Sequence, residues 1–299
     1  MKLLVLFMAS SSLIYANAKF TDLQFIPSQG VFLGETSLNS TTTTAEVGSI
    51  DIDREAFGVS QEVSYGLQEG LILSAQITRS TEKLTVKSSS AKGVTDSEGF
   101  ENPKFGVLKR FWWEKDNGFN LDLGASFSPD LFDAEDGNTD KDGTVASGSS
   151  DLSFFASFGR KQAEFQWALE AMVDFVGEAK EEDLDNGKES TTDAKQDLYI
   201  QASVQRDVAT NFSIFGGVEL GFIGELEVKN TDDSKTTVDT YTTQSLFAGA
   251  KFVAQKNLFF EFQYALTLPA DYEAKNGSDV SKYEDLSASG FKLAVNYLF

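Results

Sequence analysis

FQWALEAMVDF, residues 165–175, carries an apolar side chain at every second position. Phe165, Trp167, Leu169, Ala171, Val173 and Phe175 fall on one side, and Gln166, Ala168, Glu170, Met172 and Asp174 on the other. Successive side chains of a β-strand point to opposite faces, so this is a ribbon with one greasy and one mostly polar side. The period recurs at 57–67 (Phe57, Val59, Gln61, Val63, Tyr65, Leu67 against Gly58, Ser60, Glu62, Ser64, Gly66), at 119–127 and at 212–222. Soluble sandwiches alternate too, so the aromatic spacing decides between the classes. Phe165 to Phe175 and Phe212 to Phe222 are ten residues apart, and Phe57 to Tyr65 and Phe119 to Phe127 are eight. At about 3.3 Å per residue and a tilt of about 40°, these spans rise roughly 20–25 Å, the height of a lipid-facing band between two aromatic girdles.

The connections alternate in length. Short ones fall at 68–69, 115–118, 161–162, 208–211 and 255–257, and long polar ones at 41–53, 88–102, 131–150, 180–195, 229–239 and 274–283. Short periplasmic turns and long outer loops are the sidedness of bacterial barrels. Between them lie about twelve strands, at 30–40, 54–67, 70–87, 103–115, 118–129, 151–160, 163–179, 196–206, 211–228, 240–254, 256–274 and 284–299. The expected fold class is all-β: a transmembrane antiparallel up-and-down barrel with both termini in the periplasm.

The N-terminus agrees. Lys2 gives a positive start, residues 3–14 an apolar run, and Ala16-Asn17-Ala18 a small-x-small cleavage pattern. Residues 1–18 are therefore expected to be a signal peptide and 19–299 the barrel, exported to the bacterial outer membrane. The run is too short for a spanning helix, and no later stretch reaches the length that one requires. Formal net charge is -21, and cleavage removes Lys2 with no acid, taking the mature chain to one unit more negative. That balance excludes nucleic acid as a partner, since its binding needs a basic surface.

The last strand places Phe291, Leu293, Val295, Tyr297 and Phe299 on one face and ends on a free Phe. Phe291, Tyr297 and Phe299 resemble the C-terminal signal read by the barrel assembly machinery, an expected partner alongside outer-membrane lipid. Further stretches carry a wider resemblance: IPSQG at 26–30, VSYGLQEGLILSAQ at 63–76, PKFG at 103–106, NLDLGASFSPD at 120–130, QKN at 255–257 and GFKLAVNYLF at 290–299. Together they resemble a family of twelve-stranded outer-membrane channels associated with the meta-pathway of phenol degradation. The resemblance implies a channel for small, hydrophobic or aromatic solutes.

Alternation assigns Glu62, Arg110, Asp122, Glu164, Glu170, Asp174, Glu219, Lys251, Glu261 and Lys292 to the lumen, with Lys104 beside them. These charges either form a constriction that guides solute or pair across the wall and brace it. With His 0 and Cys 0, Ser-His and Cys-His nucleophiles and His-ligated zinc are excluded, and no enzyme is expected. No cofactor is expected either, with one exception. In the loop 130–150, Asp136, Asn138, Asp140 and Asp142 stand at every second residue near Gly137 and Gly143, as in loops that wrap Ca²⁺. The twelfth position counted from Asn138 is Ser149, where such a loop needs a bidentate Glu. Three functions follow from these features: a passive solute channel, a non-conducting structural or adhesive barrel working through acidic outer loops, and a soluble periplasmic β-protein.

Overall fold

The computed structural model describes residues 22–299 other than 90, 133, 137–142, 163, 184–187, 231–233 and 278. Residues 1–18, expected to be a signal peptide, lie outside the described residues, as do Asn138, Asp140 and Asp142.

The sheet is closed. Of its 18 strand segments among the described residues, all but Glu135–Asp136, which pairs in parallel, line up as twelve antiparallel staves in the order expected from the alternation. β1 is Phe32–Val47, β2 Ile50–Gln68 and β3 Leu71–Lys87. β4 is broken into Lys92–Phe100 and Lys104–Trp112, and β5 is Asn120–Ser128. β6 is Asp151–Gln162, and β7 is Phe165–Val176 prolonged by Ala179–Asp183. β8 joins Lys188–Thr192 to Lys195–Ala209, and β9 joins Phe212–Ile223 to Leu226–Lys229. β10 joins Lys235–Val238 to Tyr241–Gln255, β11 is Leu258–Asn276, and β12 is Asp279–Leu298. β12 pairs back on β1 from Leu33↔Leu298 to Val47↔Tyr283. Closure leaves no row of unpaired amides, which hydrocarbon would penalise by several kcal/mol per group.

Side chains sort as the alternation requires. Phe57, Val59, Leu123, Phe127, Leu169, Phe175, Val218 and Phe262 are all exposed on the outer wall. Their polar neighbours Ser60, Asp122, Gln166, Gln263 and Lys292 are buried within it. An apolar belt of this extent is unstable against water and stable against lipid.

The start of β1 and the end of β12 lie at one end of the barrel, here the terminal end. The connections there are short, and the one after β4 holds a four-residue helix, Glu114–Asn117. The distal end departs from expectation, because much of what reads as long loop is strand. Residues 41–53 form the ends of β1 and β2, with a tight turn at Gly48 (φ 60), and Thr43 pairs with Arg54. Lys92–Phe100 lies within the expected loop 88–102 and pairs along β3. Ala179–Asp183 pairs with Lys188–Thr192, and β11 and β12 run on to Asn276 and Asp279. The reason is that beyond the lipid the outer face no longer needs apolar side chains, so β-branched runs such as Thr41–Thr44 form strand without apolar alternation, while Thr43, Ala45 and Ile52 are buried on the inner side.

Candidate transport lumen

The terminal end of the lumen is crossed by the chain itself. Before β1, residues 22–30 run inside the wall instead of away from it. Arg110 of β4 donates from Nη2 to the Gln24 carbonyl at 2.8 Å, and Gln24 Nε2 donates to Ser157 Oγ of β6 at 2.8 Å. Leu23 N donates to Gln166 Oε1 of β7 at 2.9 Å, and Asp22 pairs with Lys161 at 2.8 Å. On the other side Gly30 N donates to the Gly66 carbonyl of β2 at 2.8 Å, and Val31 O accepts from Gly66 N at 3.0 Å. A Cβ on Gly66 would collide with the Ser28 carbonyl, and one on Gly159 would come 2.7 Å from Gln24 Oε1. Glycine at these two wall positions is thus what lets the segment approach.

The middle of the wall is polar and paired. Arg110 holds Asp122 through Nε and Nη2, both at 2.7 Å. Lys195 binds Asp197 at 2.6 Å, and Asp197 Oδ1 also accepts from Gly224 N at 2.9 Å. Lys292 of β12 reaches Glu35 of β1 at 2.6 Å, and Lys251 of β10 stands 3.7 Å from Glu261 of β11. Glu170 of β7 and Glu219 of β9 face the lumen without an ion pair among the described residues; Gln201 Nε2 of β8, between them, donates to Glu170 at 3.3 Å. The hydrogen-bonded ion pairs thus involve cations of β4, β8 and β12, and Glu170 and Glu219 stand on the two strands that flank β8. Inward aromatic rings lie over glycines of the next strand, Phe215 on Gly249 and Phe247 on Gly217, in direct register. They occupy volume that an all-serine wall would leave to water.

At the distal end the inner wall turns apolar. Register breaks on β11 between Thr267 and Ala270 and between Ala270 and Tyr272, around Pro269, which has no N–H for the ladder. On β12 Asp285 adopts φ 54. These irregularities switch the inward parity, so Tyr272 and Tyr283 face in. Tyr272 stacks on Tyr283 at 4.5 Å and on Tyr241 at 4.9 Å. With Ala45, Ile52, Ala274, Leu286 and Leu84 they form an apolar arc over six neighbouring strands, β10 through β3.

Of the residues assigned from sequence, Glu62, Arg110, Asp122, Glu170, Asp174, Glu219, Lys251, Glu261 and Lys292 sit on the inner face of their strands, as does Lys104. Glu164 is a correction. It lies exposed in the turn before β7, where the pleat has ended and parity no longer decides direction. Of the calcium candidates, only the backbone of Asp136 is described, paired in parallel with Asp183. Ser149 Oγ is taken by Asp151 at 2.9 Å, and no cluster of metal-binding side chains occurs among the described residues. Sequence reading missed Asp22, Gln24, Glu35, Lys195, Asp197 and the tyrosines. Pro269 is the one signal that pointed to the parity switch.

No family model matches the chain, and no curated protein does. Solved structures do. The COG4313 outer membrane channel of Pseudomonas putida superposes with a TM-score of 0.63 at 11% identity, covering 92% of this chain and 97% of that one. The transport unit of the autotransporter AIDA-I of Escherichia coli gives 0.55 at 13%, covering 94% of both chains. The fold is that of an outer-membrane barrel. At such identities the likeness concerns the path of the chain, including its twelve-strand closure.

Proposed function

We propose that the chain is an outer-membrane channel for passive uptake of small solutes, apolar or aromatic ones in particular. In this reading residues 1–18 are a signal peptide, the terminal end faces the periplasm, and assembly uses the barrel assembly machinery through the C-terminal strand. The observation that carries it is the composite lumen: an apolar tyrosine arc at the distal mouth, a polar charged middle, and residues 22–30 across the terminal end. A barrel kept only as a scaffold has no use for a mouth lined by stacked tyrosines. An aromatic solute would enter against that arc, since planar rings prefer offset stacking on other rings. The likeness to an outer membrane channel and the resemblance to the phenol-pathway family point the same way. Passage requires residues 22–30 to shift, and their anchors are a few side chains, not a strand ladder.

One observation favours a second reading. Because residues 22–30 are anchored inside the wall, a non-conducting structural or adhesive barrel with acidic outer loops has the same anatomy. Planar-bilayer recording separates the two. The channel reading expects discrete conductance steps that grow when the anchors of residues 22–30 are removed. Silence from both the native barrel and the unanchored variant would leave the scaffold reading.

A further inference from the structure

We propose that Lys251, Gln263 and Asn296 form a carboxylate-binding station on the inner wall, and that it takes a small aromatic monocarboxylate. This deepens the channel reading and rests on it for access to the station.

The starting point is a group of buried donors with nothing to donate to. Lys251 Nζ, both polar atoms of the Gln263 amide and Asn296 Nδ2 have no hydrogen-bond partner among the described residues. Their residues are nevertheless 0%, 1% and 3% exposed. Buried polar groups are almost always satisfied, so an orphaned set asks for an explanation. The set surrounds Glu261 on three adjoining strands, with Asn296 four residues along β12 from Lys292, the partner of Gln263. Lys251 is in register with Glu261, Glu261 with Ala294, Gln263 with Lys292 and Phe259 with Asn296. All three donors thus stand on the inner faces of the neighbouring strands β10, β11 and β12.

Counting hydrogens identifies the ligand class. An ammonium offers three N–H and each amide two, against one free acceptor on Gln263. A cation or an amine would leave these donors unmet, and water donates as often as it accepts. A carboxylate brings two oxygens with about four acceptor sites and a charge opposite to that of Lys251. Glu261 does not pre-empt it, because 3.7 Å exceeds the roughly 2.7–2.9 Å of a charge-assisted hydrogen bond. Lys292 is already held by Glu35 at 2.6 Å. Glu62 stands four strands away, roughly 19 Å along the wall at about 4.8 Å per strand. Asp22 of the segment inside the lumen acts electrostatically on Lys251. A shift of residues 22–30 would remove that competing carboxylate.

The rest of the solute is set by the walls. The Phe215 ring lies 5.1 Å from Lys251 Nζ, and the inward Phe259 faces Asn296 across the ladder. An aromatic ring carried by the carboxylate would therefore pack against phenyl rings while its head meets the donors.

Equilibrium dialysis of the full mature barrel in detergent against radiolabelled benzoate tests the station without requiring transport. Saturable binding is expected, competed by unlabelled benzoate and not by benzyl alcohol or benzylamine. The variant Lys251→Met/Glu261→Gln, which leaves no lone charge behind, should bind about tenfold more weakly or worse. Gln263→Leu should weaken binding several-fold, and it keeps the test alive should the double variant fail to fold by heat-modifiable gel mobility. Absence of saturable binding, equal competition by benzyl alcohol, or unchanged binding in the folded variants would each overturn the station. A barrel that conducts but does not bind benzoate loses the station and keeps the channel. One that binds but never conducts does the reverse.

Discussion

Arg110 holds Asp122 with two hydrogen bonds of 2.7 Å and, through the same Nη2, holds the carbonyl of Gln24 at 2.8 Å. One guanidinium thus ties two adjacent strands to the segment that crosses the lumen. The carboxylate fixes the plane of the fork, and the fork sets where the backbone of residue 24 must lie.

Arg110→Met should act on both the wall and the segment. It strands a carboxylate that is 1% exposed, and breaking a buried pair of this kind costs about 3–5 kcal/mol. Arg110→Met/Asp122→Asn removes that penalty and still frees Gln24. The double variant is expected to refold near the native urea midpoint, with larger conductance and faster proteolysis at residues 22–30. An unchanged conductance in the folded double variant would show that this anchor does not hold the segment.

Ion selectivity should favour cations modestly. Glu170 and Glu219 face the lumen without an ion pair among the described residues, whereas Arg110, Lys195 and Lys292 each hold a carboxylate. Rings of uncompensated charge set selectivity in pores. Reversal potentials in a KCl gradient should show cation preference, reduced in Glu170→Gln/Glu219→Gln. A preference for anions would contradict the reading of these two carboxylates.

Gly249→Val should destabilise the barrel by about 1–3 kcal/mol through overpacking. The added atoms would meet the Phe215 ring from β9 and the Phe262 carbonyl from β11. Phe215→Ala/Gly249→Val should recover part of the loss, because the ring is one of the two obstacles. Urea midpoints of the refolded barrels measure both, and equal midpoints for native and Gly249→Val would remove the packing argument.

Deleting Phe299 should slow assembly more than it weakens the finished barrel. Its backbone pairs with Phe32 in both directions, at 2.9 and 3.0 Å, and its ring stacks on Phe32 and Tyr297 at 5.5 Å. These contacts lie at the seam where β12 meets β1, at the end of the face that also carries Phe291. Pulse-labelled membranes should show less heat-modifiable barrel from the deletion. Native insertion kinetics would detach Phe299 from assembly.

The sequence alone determined the wall. A side chain's face is decided by its own parity, and lipid outside with water inside writes that parity into every stave, so closure, strand count and the inward placement of Arg110, Lys251 or Glu219 were all legible. Where lipid ends, the code ends. Thr41–Thr44 and Lys92–Phe100 carry no apolar alternation, and only their pairing with neighbouring strands makes them part of the wall. The contents of the lumen were likewise a tertiary matter. Which carboxylate meets which cation depends on cross-strand register, and neither Lys292 with Glu35 nor Asp22 with Lys161 follows from spacing along the chain. The tyrosine arc needed bulges at Pro269 and Asp285 to turn two staves over, which alternation read without them would have placed outside. Residues 22–30 carry no period, and only the enclosed polar wall, with its glycines at 66 and 159, gives them a place to lie.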